Sequence, residues 1–166
     1  MVFMATKISS IFEFTNVKCT SLDPKFDKFE YCYLKSVNRS YKYVSIKVNL
    51  LKTPVTKVKV IGVLFKRFNG NRPFMYNMSI DACRFLRNPQ AYPIAKFFFE
   101  FLKYHSNINH SCPFDHPLIL DKLPASFVNN QFTKDLPFPG GDYLFESHWI
   151  AYDVDRAVVK FYGTLS

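Results

Sequence analysis

Four cysteines and a short run of histidines are the residues of this chain best suited to chemistry. Cys19, Cys32, Cys83 and Cys112 are even in number and widely spaced, with no CxxC pair of the kind that zinc ribbons and redox motifs use. Disulfides are the leading reading. Of the three connectivities open to four cysteines, local loop closure favours Cys19 with Cys32 and Cys83 with Cys112, each contributing roughly 3 kcal/mol. Four buried free thiols in a reducing compartment are the alternative. His110, Cys112, Asp115 and His116 have the composition of a metal site, but no second cluster completes it and the leading reading assigns Cys112 to a bridge, so no metal is expected. His105 and His148 read as surface or core histidines. No Ser or Cys carries the local signature of a nucleophile, and Asp153 with Asp155 reads as a hairpin turn rather than an acid–base pair. The five Gly, at 62, 70, 140, 141 and 163, cannot write a GxGxxG, a Walker-type loop or a GxSxG elbow. No catalytic residue and no cofactor are expected.

Asn38, Asn77 and Asn109 each begin an Asn-x-Ser sequon, where roughly one would arise by chance among eleven Asn, so glycosylation in a secretory compartment agrees with the disulfides. The first fifteen residues lack the apolar core of a signal peptide, which leaves a mature form, a trimmed chain or an incomplete gene start. The longest stretch without a charged side chain is eleven residues, too short for a spanning helix of roughly 20. At 166 residues and 48% apolar content, a single folded domain over residues 1–166 is expected.

The elements that must position these groups alternate with period two over most of the chain. Residues 11–18 and 29–37 read as aromatic-rich strands joined by a turn at Ser21-Leu22-Asp23-Pro24. In residues 42–50, Val44, Ile46, Val48 and Leu50 share a buried face, while Tyr43, Ser45, Lys47 and Asn49 share a wet one. Residues 56–66 continue the pattern, with Gly62 marking a bulge or a close approach. Phe68-Asn69-Gly70-Asn71 makes a turn, and Phe74, Tyr76, Met78 and Ile80 share the next inward face, which turns Asn77 outward. Asp81 caps a short helix ended by Asn88-Pro89, and Pro93 opens another whose Ile94, Phe97, Phe98, Phe101 and Leu102 form one stripe. A short strand at 118–120, a loop over 123–141 and a final hairpin turning near Asp153 to Asp155 complete about eight strands. Such a chain folds as an antiparallel sandwich or a cup-shaped barrel. An ordinary immunoglobulin sandwich fits less well, because Trp149 follows every cysteine.

Several fragments fall in one order: Asn16-Val17-Lys18-Cys19, Cys32 in an aromatic strand, Asn69-Gly70 before Arg72-Pro73-Phe74, and Asp81-Ala82-Cys83. Ser106-Asn107-Ile108-Asn109-His110-Ser111-Cys112-Pro113-Phe114 and Leu136-Pro137-Phe138-Pro139-Gly140-Gly141-Asp142-Tyr143 continue it. Over about residues 12–162 the series resembles the insect family of small secreted proteins that includes the CheB chemosensory proteins. That family is in turn distantly similar to the ganglioside activator protein and the ML lipid-recognition superfamily. The resemblance implies an immunoglobulin-like β-cup of about eight antiparallel strands with a helical insert at about 81–105. It further implies secretion, binding of a lipid or other hydrophobic small molecule, and a chemosensory, pheromone-related role with a receptor or channel as partner.

The 19 Phe, 10 Tyr and single Trp then acquire a use, as the wall of an apolar cavity. Val44, Ile46, Val48, Phe74, Tyr76, Phe97, Phe98, Phe101 and Leu144 are the candidate ligand-binding residues. Phe99 lies off the helix stripe and is a candidate for contact with solvent, a membrane surface or the cavity rim. Of the +9 net charge, only Lys57-Lys59 and Lys66-Arg67-Arg72 cluster, so nucleic acid is not an expected partner, whereas an anionic membrane surface is. The rival readings are a solid-cored secreted protein that meets a receptor or glycan, and a lipid-modifying enzyme with polar residues converging at the cavity mouth.

Overall fold

Alternating β-branched and aromatic residues build eight antiparallel strands in the computed structural model, which describes residues 11–68, 70–135 and 139–166, the side chains of 68–76 and 131–138 excepted. The strands are β1 (Phe12–Ser21), β2 (Asp27–Asn38), β3 (Tyr41–Leu50), β4 (Val58–Phe68), β5 (Gly70–Asp81), β6 (Leu118–Pro124), β7 (Gly141–Ala151) and β8 (Val154–Leu165). They form a five-stranded sheet in the order β1-β8-β7-β4-β5 and a three-stranded sheet in the order β2-β3-β6. The tight β7–β8 turn falls at Tyr152 and Asp153, both at positive φ (52° and 64°), one residue earlier than expected.

The helical insert follows β5. Asp81 Oδ1 accepts the Arg84 amide at 3.0 Å and so caps α1 (Ala82–Arg87); a single 3-10 turn (Pro89–Ala91) leads to α2 (Pro93–Lys103), with proline at its first position. The insert packs against β4 and β5.

Two features depart from the sequence reading. The expected loop over 123–141 contains α3 (Ala125–Asp135), whose Val128 is buried in the core and whose Asn129 Oδ1 accepts the Phe12 amide at 3.0 Å. Ser45, assigned to the wet face of β3, is buried because a shift in the β3–β6 register beside Lys122 lets its Oγ accept the Lys122 amide at 3.0 Å.

Two bridges tie the layers. Cys19–Cys32 joins β1 to β2, an edge strand of each sheet, and Cys83–Cys112 joins α1 to the segment before β6. The core divides into a larger cluster around Phe14, Val44, Leu64 and Leu123, and a smaller one of Phe26, Val55, Phe114 and Ala151.

Candidate functional site

Between the two sheets and under the insert lies a cavity of about 220 Å³ that touches both core clusters. Inward residues of β2, β3 and β6 form one wall, including Phe29, Ile46, Val48 and Leu120; Val60, Met78, Phe145, Trp149 and Phe161 come from the facing sheet. The insert contributes Phe85, Ala95, Phe98, Phe99 and Leu102. Phe114 also lines it, held by reciprocal backbone hydrogen bonds with Val55 at 2.8 and 2.9 Å. Among the described residues, eight Phe and the sole Trp line this space, which places a good part of the aromatic excess of the composition around one void.

A second cavity of about 80 Å³ lies beside the first, lined by Phe12, Phe14, Phe101 and Val128 among others. Phe98, Leu102, Phe145 and Phe161 border both. Phe98 and Phe145 are stacked, with centroids 5.0 Å apart and planes inclined by 17°. Gly62 explains how Phe145 fits: a Cβ there would lie 2.9 Å from Phe145 Cζ and 3.2 Å from Met78 Cε, so the absent side chain is the ring's seat.

The candidate residues distribute as follows. Ile46, Val48 and Phe98 line the main cavity, and Phe98 and Phe101 line the smaller one. Val44 is wholly buried in the packed core, Leu144 is buried in β7, and Phe97 packs half-buried against the larger cluster; none of the three borders either of these two cavities. Phe74 and Tyr76 belong to β5, and their side chains lie outside the described residues. In α2 the face toward the main cavity is Ala95, Phe98, Phe99 and Leu102, rotated from the expected stripe, and Ile94 is 49% exposed. Phe99, read as off the stripe, meets Phe85 edge-on at 5.2 Å between centroids within that wall.

The polar groups of the main wall are few. Asp27 is buried and accepts Ser21 Oγ at 2.6 Å; burial holds its carboxyl above the usual carboxylate range, against the lowering effect of that hydrogen bond. Arg156 donates from Nε to the Ala151 carbonyl at 3.0 Å and from Nη1 to Asp23 at 2.7 Å, with its guanidinium 4.1 Å over the Phe26 ring. Ser147 Oγ donates to the Val159 carbonyl at 2.9 Å and accepts Trp149 Nε1–H at 3.0 Å. Ser106 completes the set. Among the described residues of this wall, no nucleophile is hydrogen-bonded to a base.

Outside the cavity, His110 and His116 bring their Nε2 atoms within 2.7 Å, but Cys112 is in its bridge, and no group of three or more metal-ligating side chains occurs among the described residues. Of the basic clusters, Lys66 is buried with Nζ 5.9 Å over the Tyr143 ring, and Lys57 pairs with Asp153 at 3.2 Å. The expected cationic surface is correspondingly thinner. The sequon residues Asn38, Asn77 and Asn109 are all exposed.

Comparison with known proteins adds a family. The model of the family described as "Protein of unknown function (DUF1091)" matches residues 60–145. No curated protein matches the chain. Among solved structures, a Niemann-Pick type C2 protein from Japanese carpenter ant is similar at 15% identity over 98% of this chain and 97% of that chain, with a TM-score of 0.34, too low to establish a shared fold.

Proposed function

The chain belongs to the DUF1091 family of proteins of unknown function, and from that starting point we propose that it is a non-catalytic, extracellular binder of a lipid or another hydrophobic small molecule. The observation that carries this reading is the cavity itself: an interior of about 220 Å³ walled almost wholly by aromatic and aliphatic side chains. Interiors normally pack to the density of organic crystals, and an apolar void forfeits the dispersion contacts of every side chain that lines it. An apolar ligand restores those contacts and removes its own surface from water, at about 25 cal/mol for each Å² buried. A solid-cored interaction protein has no use for such a space.

Two disulfides and three exposed sequons support an oxidising, glycosylating compartment. The likeness of its sequence blocks to secreted chemosensory proteins extends the reading to carriage of a semiochemical. The test is titration with N-phenylnaphthylamine, a neutral apolar fluorophore, of protein secreted from insect cells. Saturable enhancement at one equivalent, reversed by long-chain lipids, is expected; no uptake would remove the binder reading.

A further inference from the structure

Resting on the binder reading, we propose that the ligand is a neutral oxygenated hydrocarbon, such as a long-chain alcohol, aldehyde or ester, anchored by Ser106. Among the described residues, four polar ones line the main cavity: Asp27, Ser106, Ser147 and Arg156. Three have partners within the protein. Ser147 bridges Trp149 Nε1 and the Val159 carbonyl, Asp27 is held by Ser21, and Arg156 is bound to Asp23 and the Ala151 carbonyl. Ser106 Oγ differs: it is buried and has no hydrogen-bond partner among the described residues.

Buried hydroxyls without a partner are rare because each forfeits its hydration, and each one asks for an explanation. The main chain at Ser106 is firmly held. Its backbone bridges Leu120 on the outer edge of β6, and the neighbouring Asn107 fastens the same segment, accepting the Ile119 amide at 2.9 Å and donating to the Pro117 carbonyl at 2.8 Å. A hydroxyl carried on so firm a segment can give one hydrogen bond to, or take one from, one ligand oxygen. A carboxylate finds no equivalent site. The single guanidinium of the wall is already neutralised by Asp23, with the Asp27 carboxyl also nearby, so an ionised head group would be buried without a counter-charge.

The experiment displaces N-phenylnaphthylamine with dodecanol, dodecanoic acid and dodecane at pH 8, using the wild-type protein and Ser106→Ala. For each ligand, the ratio of variant to wild-type affinity cancels its solubility. Dodecanol is expected to weaken roughly 3–10-fold in Ser106→Ala while dodecane is unchanged, the size of one neutral hydrogen bond. On wild-type protein alone, dodecanol is expected to bind at least tenfold more tightly than dodecanoic acid, a comparison that needs no variant to fold. Equal affinity for acid and alcohol, or an alcohol indifferent to Ser106→Ala, overturns the proposal while leaving the binder reading intact. Failure to take up the fluorophore overturns both.

Discussion

The rings of Phe98 and Phe145, stacked at 5.0 Å and 17°, stand between the two cavities together with Leu102 and Phe161, since each borders both. One ring comes from the insert and the other from the centre of the five-stranded sheet, so the stack also couples helix to sheet. Phe98→Ala removes the helix side of it. We expect a loss of about 3–5 kcal/mol, read by urea denaturation, because the vacated space adds a cavity term to the lost transfer free energy. If the variant folds, the two voids become one, and the preferred chain length in a displacement series lengthens.

Gly62→Ala tests the seat of Phe145. Alanine is normally the better strand residue, by roughly 0.5–1 kcal/mol, but its Cβ would stand 2.9 Å from the ring tip. The clash wins because the ring is braced by Phe98, and a net destabilisation of about 1–3 kcal/mol is expected. In a Phe98→Ala background the ring can retreat, so a double-mutant cycle should show the penalty shrinking. Strict additivity would refute the bracing.

The bridges should differ in effect. Their sequence separations are 13 residues for Cys19–Cys32 and 29 for Cys83–Cys112, so chain entropy assigns about 3 and about 3.5 kcal/mol respectively. Paired serine replacements measured by chemical denaturation check those figures. Only loss of Cys83–Cys112, which fastens α1 to the segment carrying Ser106 and Phe114, should also reduce uptake of the fluorophore.

His148 supplies a pH dependence. Burial works against its charged form, but hydrogen bonds to Glu146 and Asp155, both at 2.7 Å, outweigh that and raise its pKa above the ordinary 6.5. A raised histidine stabilises the folded state fully below its unfolded pKa and loses that contribution as pH rises through the folded value. The difference in melting temperature between wild type and His148→Gln should therefore be largest below pH 6.5 and shrink above it. A difference that grows with pH would show that the sign is wrong.

Alternation was enough to read the strands, because one face of each sheet meets an apolar interior and the other largely meets water. It misled at Ser45, where a local register shift buries a residue of the polar phase. α3 was illegible for another reason: Asn129, Asn130 and Thr133 are poor helix formers, and the helix is held by Val128 in the core rather than by propensity. The run Phe97-Phe98-Phe99 followed by Phe101 wraps α2 on several sides, so helical spacing permits two overlapping stripes and only the packing selects Ala95, Phe98, Phe99 and Leu102. Phe26, Val55 and Phe114 reach the cavity from outside the strands, where no periodicity announces an inward face.

The Cys19–Cys32 bridge sews the sheets together along the β1 and β2 edge, whereas the opposite margin is spanned by the insert and the segment leading into β6. That second margin has its own bridge, Cys83–Cys112, which ties the insert to the segment before β6. Ser106 sits on that bridged segment, against the outer edge of β6. Reducing Cys83–Cys112 while Cys19–Cys32 stays intact would therefore free the Ser106 segment from the insert and leave the β1 and β2 edge joined, so each bridge governs its own margin.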